Sequence, residues 1–404
     1  MRLVSRIVLV MAAWFGLASA ASAAKPDLLI LVSIDGFRAD YFTHHKTPAV
    51  EALAEAGVRA AMRPSYPSQT FPNHYTLVTG LRPDHHGIVD NTMDDPVLGH
   101  FTMENSTDSR WWNEAEPLWV TADAQGLKTA TMFWPGSDKT IRGRMPDLWE
   151  KYDKTLLADA RVDQVLKWLD LPEDQRPTFV TLYFDIVDTE GHHHGPNSKE
   201  LDDALASTDA SVGRLVEGLK ARGLFDKTNL ILVADHGMAD TATSRLVYVD
   251  DVAGGESAIH TVTLGASAGL SIAPGAPKGT LARLLAPHAH MHCWNKADIP
   301  KALHYGSNAR VPPVVCMAEV GWFITTHARI ATMKDFNLGN HGYDPADPYM
   351  AALFVAEGPA FRAGATLPAF DNVDVQPLMA RLLHLKAPKA DGSARPFGPA
   401  LRAR

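Results

Sequence analysis

Only two cysteines occur in 404 residues, too few for a small scaffold held together by disulfides. Basic residues are in the minority: 38 Lys and Arg stand against 46 Asp and Glu, a formal net charge of −8, and no basic patch breaks the pattern. Binding to a nucleic-acid duplex is therefore not expected, since it rests on clustered Lys and Arg. Beyond the N-terminus no apolar run reaches the roughly 20 residues of a spanning helix, so no transmembrane segment is expected in the mature chain. Internal repeats and low-complexity tracts are missing too. Apolar residues, in contrast, make up 46% of the chain, which supports a sizeable core and argues against disorder. The length allows one large α/β domain with an insertion, or two domains.

The first residues have the signature of export. Arg2 and Arg6 precede an apolar run from Ile7 to Leu17, and Ala-Ser-Ala follows at 18–20 and again at 21–23. This pattern predicts a signal peptide over 1–23, cleaved to leave a periplasmic or secreted chain of 24–404. A membrane anchor is the alternative, disfavoured by the shortness of the run. In an exported protein Cys293 and Cys316 are expected to pair, and closing that loop would contribute about 3 kcal/mol; two buried free thiols are the alternative.

Aliphatic runs ending in acidic residues recur along the chain. LLILVSI (28–34) leads into Asp35, TFVTLYFDIVD (178–188) runs as a strand to Asp188, and NLILVADHG (229–237) contains Asp235 and His236. Strands are also expected at 128–133 and 349–358. Helices are expected from Pro48 to Gly57, over 155–170 and 199–222, and over 374–385 with a break near Pro377. Strands alternating with helices predict a doubly wound, mainly parallel sheet with helices on both faces. Its ligand site lies at the carboxyl ends of the strands. Residues at about 260–325, rich in Gly, Pro and His, read as a small inserted cap.

Asp35, Asp188 and Asp235 thus converge with His192 and His236, and His341 lies between glycines in GNHGYD (339–344). Carboxylate and imidazole ligands suit zinc or a similar ion. Three of each exceed one tetrahedral ion and suit two. Singly, each residue could be a cap or a solvated side chain. Asp188 and His192 are one helical turn apart, so both can face one ion, whereas His193 turns away by about 100°. The role of His194 stays open. In SQTFPNHYT (68–76), Pro72 predicts a helix whose start carries Thr70, where free amides favour an anion. Alone, Thr70 is a helix cap; beside two ions its hydroxyl becomes a candidate nucleophile.

These segments together resemble the nucleotide pyrophosphatase/phosphodiesterase family of the alkaline phosphatase superfamily, in a secreted bacterial form. The resemblance runs from ILVSIDGFRADY (30–41) through PSYPSQTFPNHYTLVTGLRPDHHGIVDN (64–91), FDIVDTEGHHHGP (184–196), LVADHGM (232–238) and CWNKADIPKALHYGSNARVPPVV (293–315) to GNHGYD (339–344). It implies an alkaline-phosphatase-like fold and two Zn2+ ions, with Mn2+ or another divalent ion as the alternative. Asp188, His192 and His341 would hold one ion, and Asp35, Thr70, Asp235 and His236 the other. Thr70 would be the nucleophile of a two-step hydrolysis through a phosphothreonyl intermediate. Asn91 would donate to a phosphate oxygen, and Phe71 and Tyr183 would sandwich a nucleoside base. The chain departs from sulfatases, whose nucleophile is followed by x-Pro-x-Arg, because Thr70-Phe71-Pro72-Asn73 is not followed by an arginine. No arginine adjoins Thr70 as in alkaline phosphatases, and the uncharged Asn91 suits a small-molecule diester better than a monoester.

Two rival readings use the same residues. A lipid-headgroup phosphodiesterase or a phosphonoacetate hydrolase would share the metal core and the threonine. A non-catalytic secreted protein with a structural metal site would need no hydroxyl at a helix start.

Overall fold

The computed structural model describes residues 25–403, so the expected signal peptide at 1–23 lies outside the described residues. Among the described residues no helix is long and apolar enough to cross a membrane. The central sheet is built from the aliphatic runs. Across it lie Leu148–Glu150, Thr129–Met132, Phe179–Phe184, Leu28–Ile34, Thr228–Val233, Ala352–Glu357, Val58–Arg63 and the short Ala365–Thr366. The first five strands are parallel, and Ala352–Glu357 runs antiparallel to both its neighbours. Leu29–Val32 and Ile231–Val233 are fully buried, as expected of parallel strands covered on both faces.

Two groups of helices form the covering layers. Pro48–Ala56 and Ala158–Leu169 pack on Lys199–Ala221, while Thr70–Thr79 packs with Leu118–Ala124 and Val375–Leu382. Gly80 ends the Thr70 helix in the left-handed conformation (φ +69°), with its N–H bonded to Thr76 O. The closing helix is not broken at Pro377. It begins at Val375, so the proline sits in the first turn, where a missing N–H costs no helical bond.

A second correction concerns the strand before Asp188. It stops at Phe184, and Ile186–His194 is a helix. Asp188 therefore lies in a first helical turn rather than on a strand. The register places the strand ends together: Ile34 lies beside Phe184, and Ser33 beside Val233. Asp35 and Asp235 leave the sheet from neighbouring strands at this edge.

A separate antiparallel sheet is built from Ile259–Thr263, Ser267–Ile272, Val314–Ala318 and Met291–Asn295, in that spatial order. Cys293 and Cys316 lie opposite each other on its last two strands and form a disulfide. Leu270, Leu284, Met291, Ile324 and Tyr343 give this layer its own apolar cluster.

Candidate metal centre

All seven residues expected to hold metal meet at the carboxyl edge of the sheet. Asp188, His192 and His341 can each offer an atom within 4.8 Å of the others, and so can Asp35, Asp188 and His236. Asp188 is common to both sets, so the two halves abut. His192 Nε2 and His341 Nε2 stand 3.0 Å apart, and they lie 3.5 and 3.6 Å from Asp188 Oδ2 and Oδ1 respectively. His236 Nε2 is 3.0 Å from Asp235 Oδ2 and 3.4 Å from Asp35 Oδ1. The His236 and His341 rings stack at 3.5 Å.

The other ring nitrogen of each histidine is fixed by the backbone. Nδ1 lies 2.8 Å from Gly339 O in His192, 2.9 Å from Ser68 O in His341 and 2.9 Å from Gly237 O in His236. A carbonyl only accepts, so Nδ1 carries the proton and Nε2 turns its lone pair inward. Two glycines permit this crowding. A Cβ on Gly36 (φ +69°) would stand 3.0 Å from Asp188 Cα, and one on Gly339 would stand 2.2 Å from Gly191 O.

Such a site fits divalent cations on its own chemistry. Asp35 Oδ1, Asp188 Oδ1 and Asp235 Oδ2 are buried without a hydrogen-bond partner. Burial pushes the Asp35 carboxyl well above its ordinary range, and the Asp235 and Asp188 charges push it further. Burial acts the same way on Asp235, but His236 and His74 outweigh it and hold that carboxyl down. Burial, with His236 and His192, keeps His341 neutral by lowering it well below its ordinary value. Imidazole nitrogens facing inward among unpaired carboxylate oxygens are the donor set of a transition-metal centre.

Thr70 is the first residue of its helix, and its Oγ lies 3.3 Å from His236 Nε2. Asn91 is clamped beside it: Oδ1 accepts from Phe71 N at 2.8 Å and Nδ2 donates to Gln69 Oε1 at 3.3 Å. The second N–H of that amide remains for a ligand. Thr70, Phe71, Asp35 and Asp188 open onto a cavity of ≈ 440 Å³, whose other walls include Phe133, Tyr152 and Tyr183. Tyr183 directs its hydroxyl to Asp35 Oδ2 at 2.6 Å. Tyr152 is half exposed on the same cavity, and its hydroxyl donates to Asp185 Oδ2 at 2.7 Å.

Two residues here escaped sequence reasoning. His74 is fully buried, with Nδ1 2.9 Å from Thr70 O and 3.4 Å from Asp235 Oδ2, and Nε2 2.8 Å from Ser33 Oγ. Its position one helical turn after Thr70 was the available signal. Tyr152 sits in a loop, where no periodicity marks it. His193 and His194 are both exposed; His194 lies 3.4 Å from Glu190 and belongs to neither ligand set.

Comparison with known proteins gives the family and the fold. Residues 29–344 match the family described as type I phosphodiesterase / nucleotide pyrophosphatase. A venom phosphodiesterase of Crotalus durissus collilineatus is 40% identical over 90% of this chain and 45% of its own length. An uncharacterized pyrophosphatase/phosphodiesterase of Schizosaccharomyces pombe is 36% identical over 90% of this chain and 78% of its own. The chain thus spans about half the length of the venom enzymes it matches. Among solved structures, murine ectonucleotide pyrophosphatase/phosphodiesterase 5 superposes with a TM-score of 0.88 and 33% identity, covering 93% of this chain and 100% of the mouse chain. The same mouse protein, as an inactive threonine-to-alanine variant in complex with AMP, gives 0.88 and 32%, covering 94% and 100%.

Proposed function

The chain belongs to the type I phosphodiesterase / nucleotide pyrophosphatase family, and from that premise we propose that it is a two-metal phosphodiesterase. It would hydrolyse nucleotide diesters and pyrophosphate links and release a nucleoside monophosphate. The observation that carries this reading is the Thr70 hydroxyl at a helix start, 3.3 Å from His236 and facing the 440 Å³ cavity. A structural metal site has no use for that hydroxyl.

Asp188, His192 and His341 would hold one ion, and Asp35, Thr70, Asp235 and His236 the other, zinc by ligand type with manganese as the alternative. When bound, such ions stabilise charge on phosphate oxygens and lower the pKa of a coordinated hydroxyl. The residues of the chain supply the rest. Thr70 Oγ gives its proton to solvent water and attacks phosphorus in line; the P–O bond to the leaving group breaks, the departing oxygen takes up a proton from water or leaves as an anion, and a phosphothreonyl ester forms. Water then attacks from the side the leaving group vacated, freeing the nucleotide and restoring Thr70. The free N–H of Asn91 points the amide at a non-bridging oxygen, a preorganised donor where charge develops. Phe71 and Tyr152 offer apolar faces to a base, while Tyr183, expected to share that role with Phe71, lines the same cavity with its hydroxyl on Asp35 and anchors that carboxylate. The AMP complex of the mouse relative supports a nucleotide in this cavity.

Export to the periplasm or medium accords with the Cys293–Cys316 disulfide and the N-terminal pattern. A substrate panel on the metal-loaded mature protein tests the reading, comparing nucleoside triphosphates, dinucleotides, phosphocholine diesters and simple monoesters. Nucleotide diesters should be cleaved with the highest kcat/KM. Equal cleavage of choline-type diesters would overturn the nucleotide preference.

A further inference from the structure

Away from the catalytic edge, the smaller layer gathers a second set of metal-binding side chains. Leu246–Tyr248 and Phe323–Thr325 pair in parallel, with Tyr248 beside Thr325. The segments that follow therefore leave side by side, as the short helices Val249–Ala253 and His327–Thr332. The first carries Asp250 and Asp251 in its first turn, and the second opens with His327. We propose that Asp250, Asp251 and His327 form a third divalent-metal site that ties these two elements together.

Distances support an ion. Each residue can offer one atom within 4.8 Å of the others. His327 Nδ1 lies 3.6 Å from Asp250 Oδ2, and His327 Nε2 lies 3.7 Å from Asp251 Oδ2. One ion takes a single ring nitrogen, and ligands about 2.1 Å from a tetrahedral ion stand roughly 3.4 Å apart, so the exposed Asp251 and His327 side chains must rotate to bring both carboxylates to the same nitrogen.

Burial supplies an independent observation. Asp250 is only 6% exposed, yet its Oδ1 has no hydrogen-bond partner. Its Oδ2 accepts from the His327 backbone N–H at 3.1 Å, which aims the carboxylate at the histidine. A buried carboxylate oxygen without a partner is costly, and a bound cation removes that cost. The His327 and Tyr248 rings pack in a T-shaped contact with centroids 4.0 Å apart, so one ligand is already oriented. An imidazole beside two carboxylates suits zinc, cobalt or manganese, whereas calcium and magnesium take oxygen ligands. Asp251 and His327 are more than half exposed, which leaves the remaining positions to water. The third site should therefore fill after the catalytic pair.

Metal titration of the mature full-length chain tests this proposal. Zinc content would be measured from sub-nanomolar to hundreds of micromolar free zinc, for the wild type, His327→Gln, Asp251→Asn and, as a control for an exposed histidine, His193→Gln. The wild type and His193→Gln should bind a third equivalent after the first two. His327→Gln and Asp251→Asn should bind it about tenfold or more weakly, while keeping two ions and full turnover. Two equivalents in every protein would mean that His327 is only an ion-pair partner and would overturn the proposal. So would a third equivalent that persists undiminished in both variants or is lost with His193→Gln.

Discussion

The Tyr183 hydroxyl donates to Asp35 Oδ2 across 2.6 Å, joining a strand-borne aromatic to a candidate metal-ligand carboxylate just past the end of the neighbouring strand. The bond fixes one Asp35 oxygen and leaves Oδ1 without a hydrogen-bond partner. Replacing Tyr183 by Phe keeps the ring and removes the anchor. Metal affinity or kcat should fall about 10- to 100-fold, as for other groups that orient a ligand. Tyr152→Ala should act differently, raising KM for nucleotides more than it lowers kcat. Steady-state kinetics with parallel metal analysis separates the two roles.

The run Glu190-Gly191-His192-His193-His194 predicts an asymmetric outcome. Only His192 reaches both Asp188 and His341. His192→Ala should lose one of the two catalytic ions, whereas His193→Ala should keep both. Metal content of the two variants, read under conditions where the wild type holds its catalytic pair, decides this.

Removing metal should cost stability as well as activity. Asp35, Asp188 and Asp235 would each keep a buried oxygen with no partner. Chelation should therefore lower the melting temperature and abolish turnover, and added zinc should restore both. A melting temperature unchanged by chelator would show that the cluster holds no ion in the folded protein.

Asp90 gives a pH dependence with a defined sign. Burial pushes its carboxyl up from 3.8 to about 7, while the Asn91 and Thr92 backbone N–H groups pull it back. Between those values the folded chain keeps a proton that the unfolded chain has lost. Its contribution thus favours folding less as pH rises and is fully unfavourable above about 7, by on the order of 4 kcal/mol. Asp90→Asn removes this term, so the variant should gain stability relative to wild type on going from about pH 5 to about pH 8. Denaturant melts at both values check it, and an unchanged difference between wild type and variant would contradict it.

Much of the site was legible because its ligands follow aliphatic runs that had to be parallel strands. Leu28–Ile34 and Thr228–Val233 lie where their composition put them, and Asp35, Asp235 and His236 follow from that. The turn to helix after Phe184 was less legible. Ile186 and Val187 continue an apolar run, and only tertiary packing of the Ile186–His194 helix on Lys199–Ala221 distinguishes the two outcomes. His74 and Tyr152 were missed for a related reason. Their partners, Asp235 and Asp185, are remote in sequence, and the one local signal is the place of His74 a helical turn after Thr70. The antiparallel course of Ala352–Glu357 also depends on topology, since a fully buried strand reads alike in either direction.

The central claim is that Thr70 is the nucleophile, and Thr70→Ala measures it most directly. On a chromogenic nucleotide diester this variant should lose several orders of magnitude in kcat, while metal analysis shows its ion content nearly intact. Diesterase activity equal to that of the wild type, at the same metal content, would contradict the account.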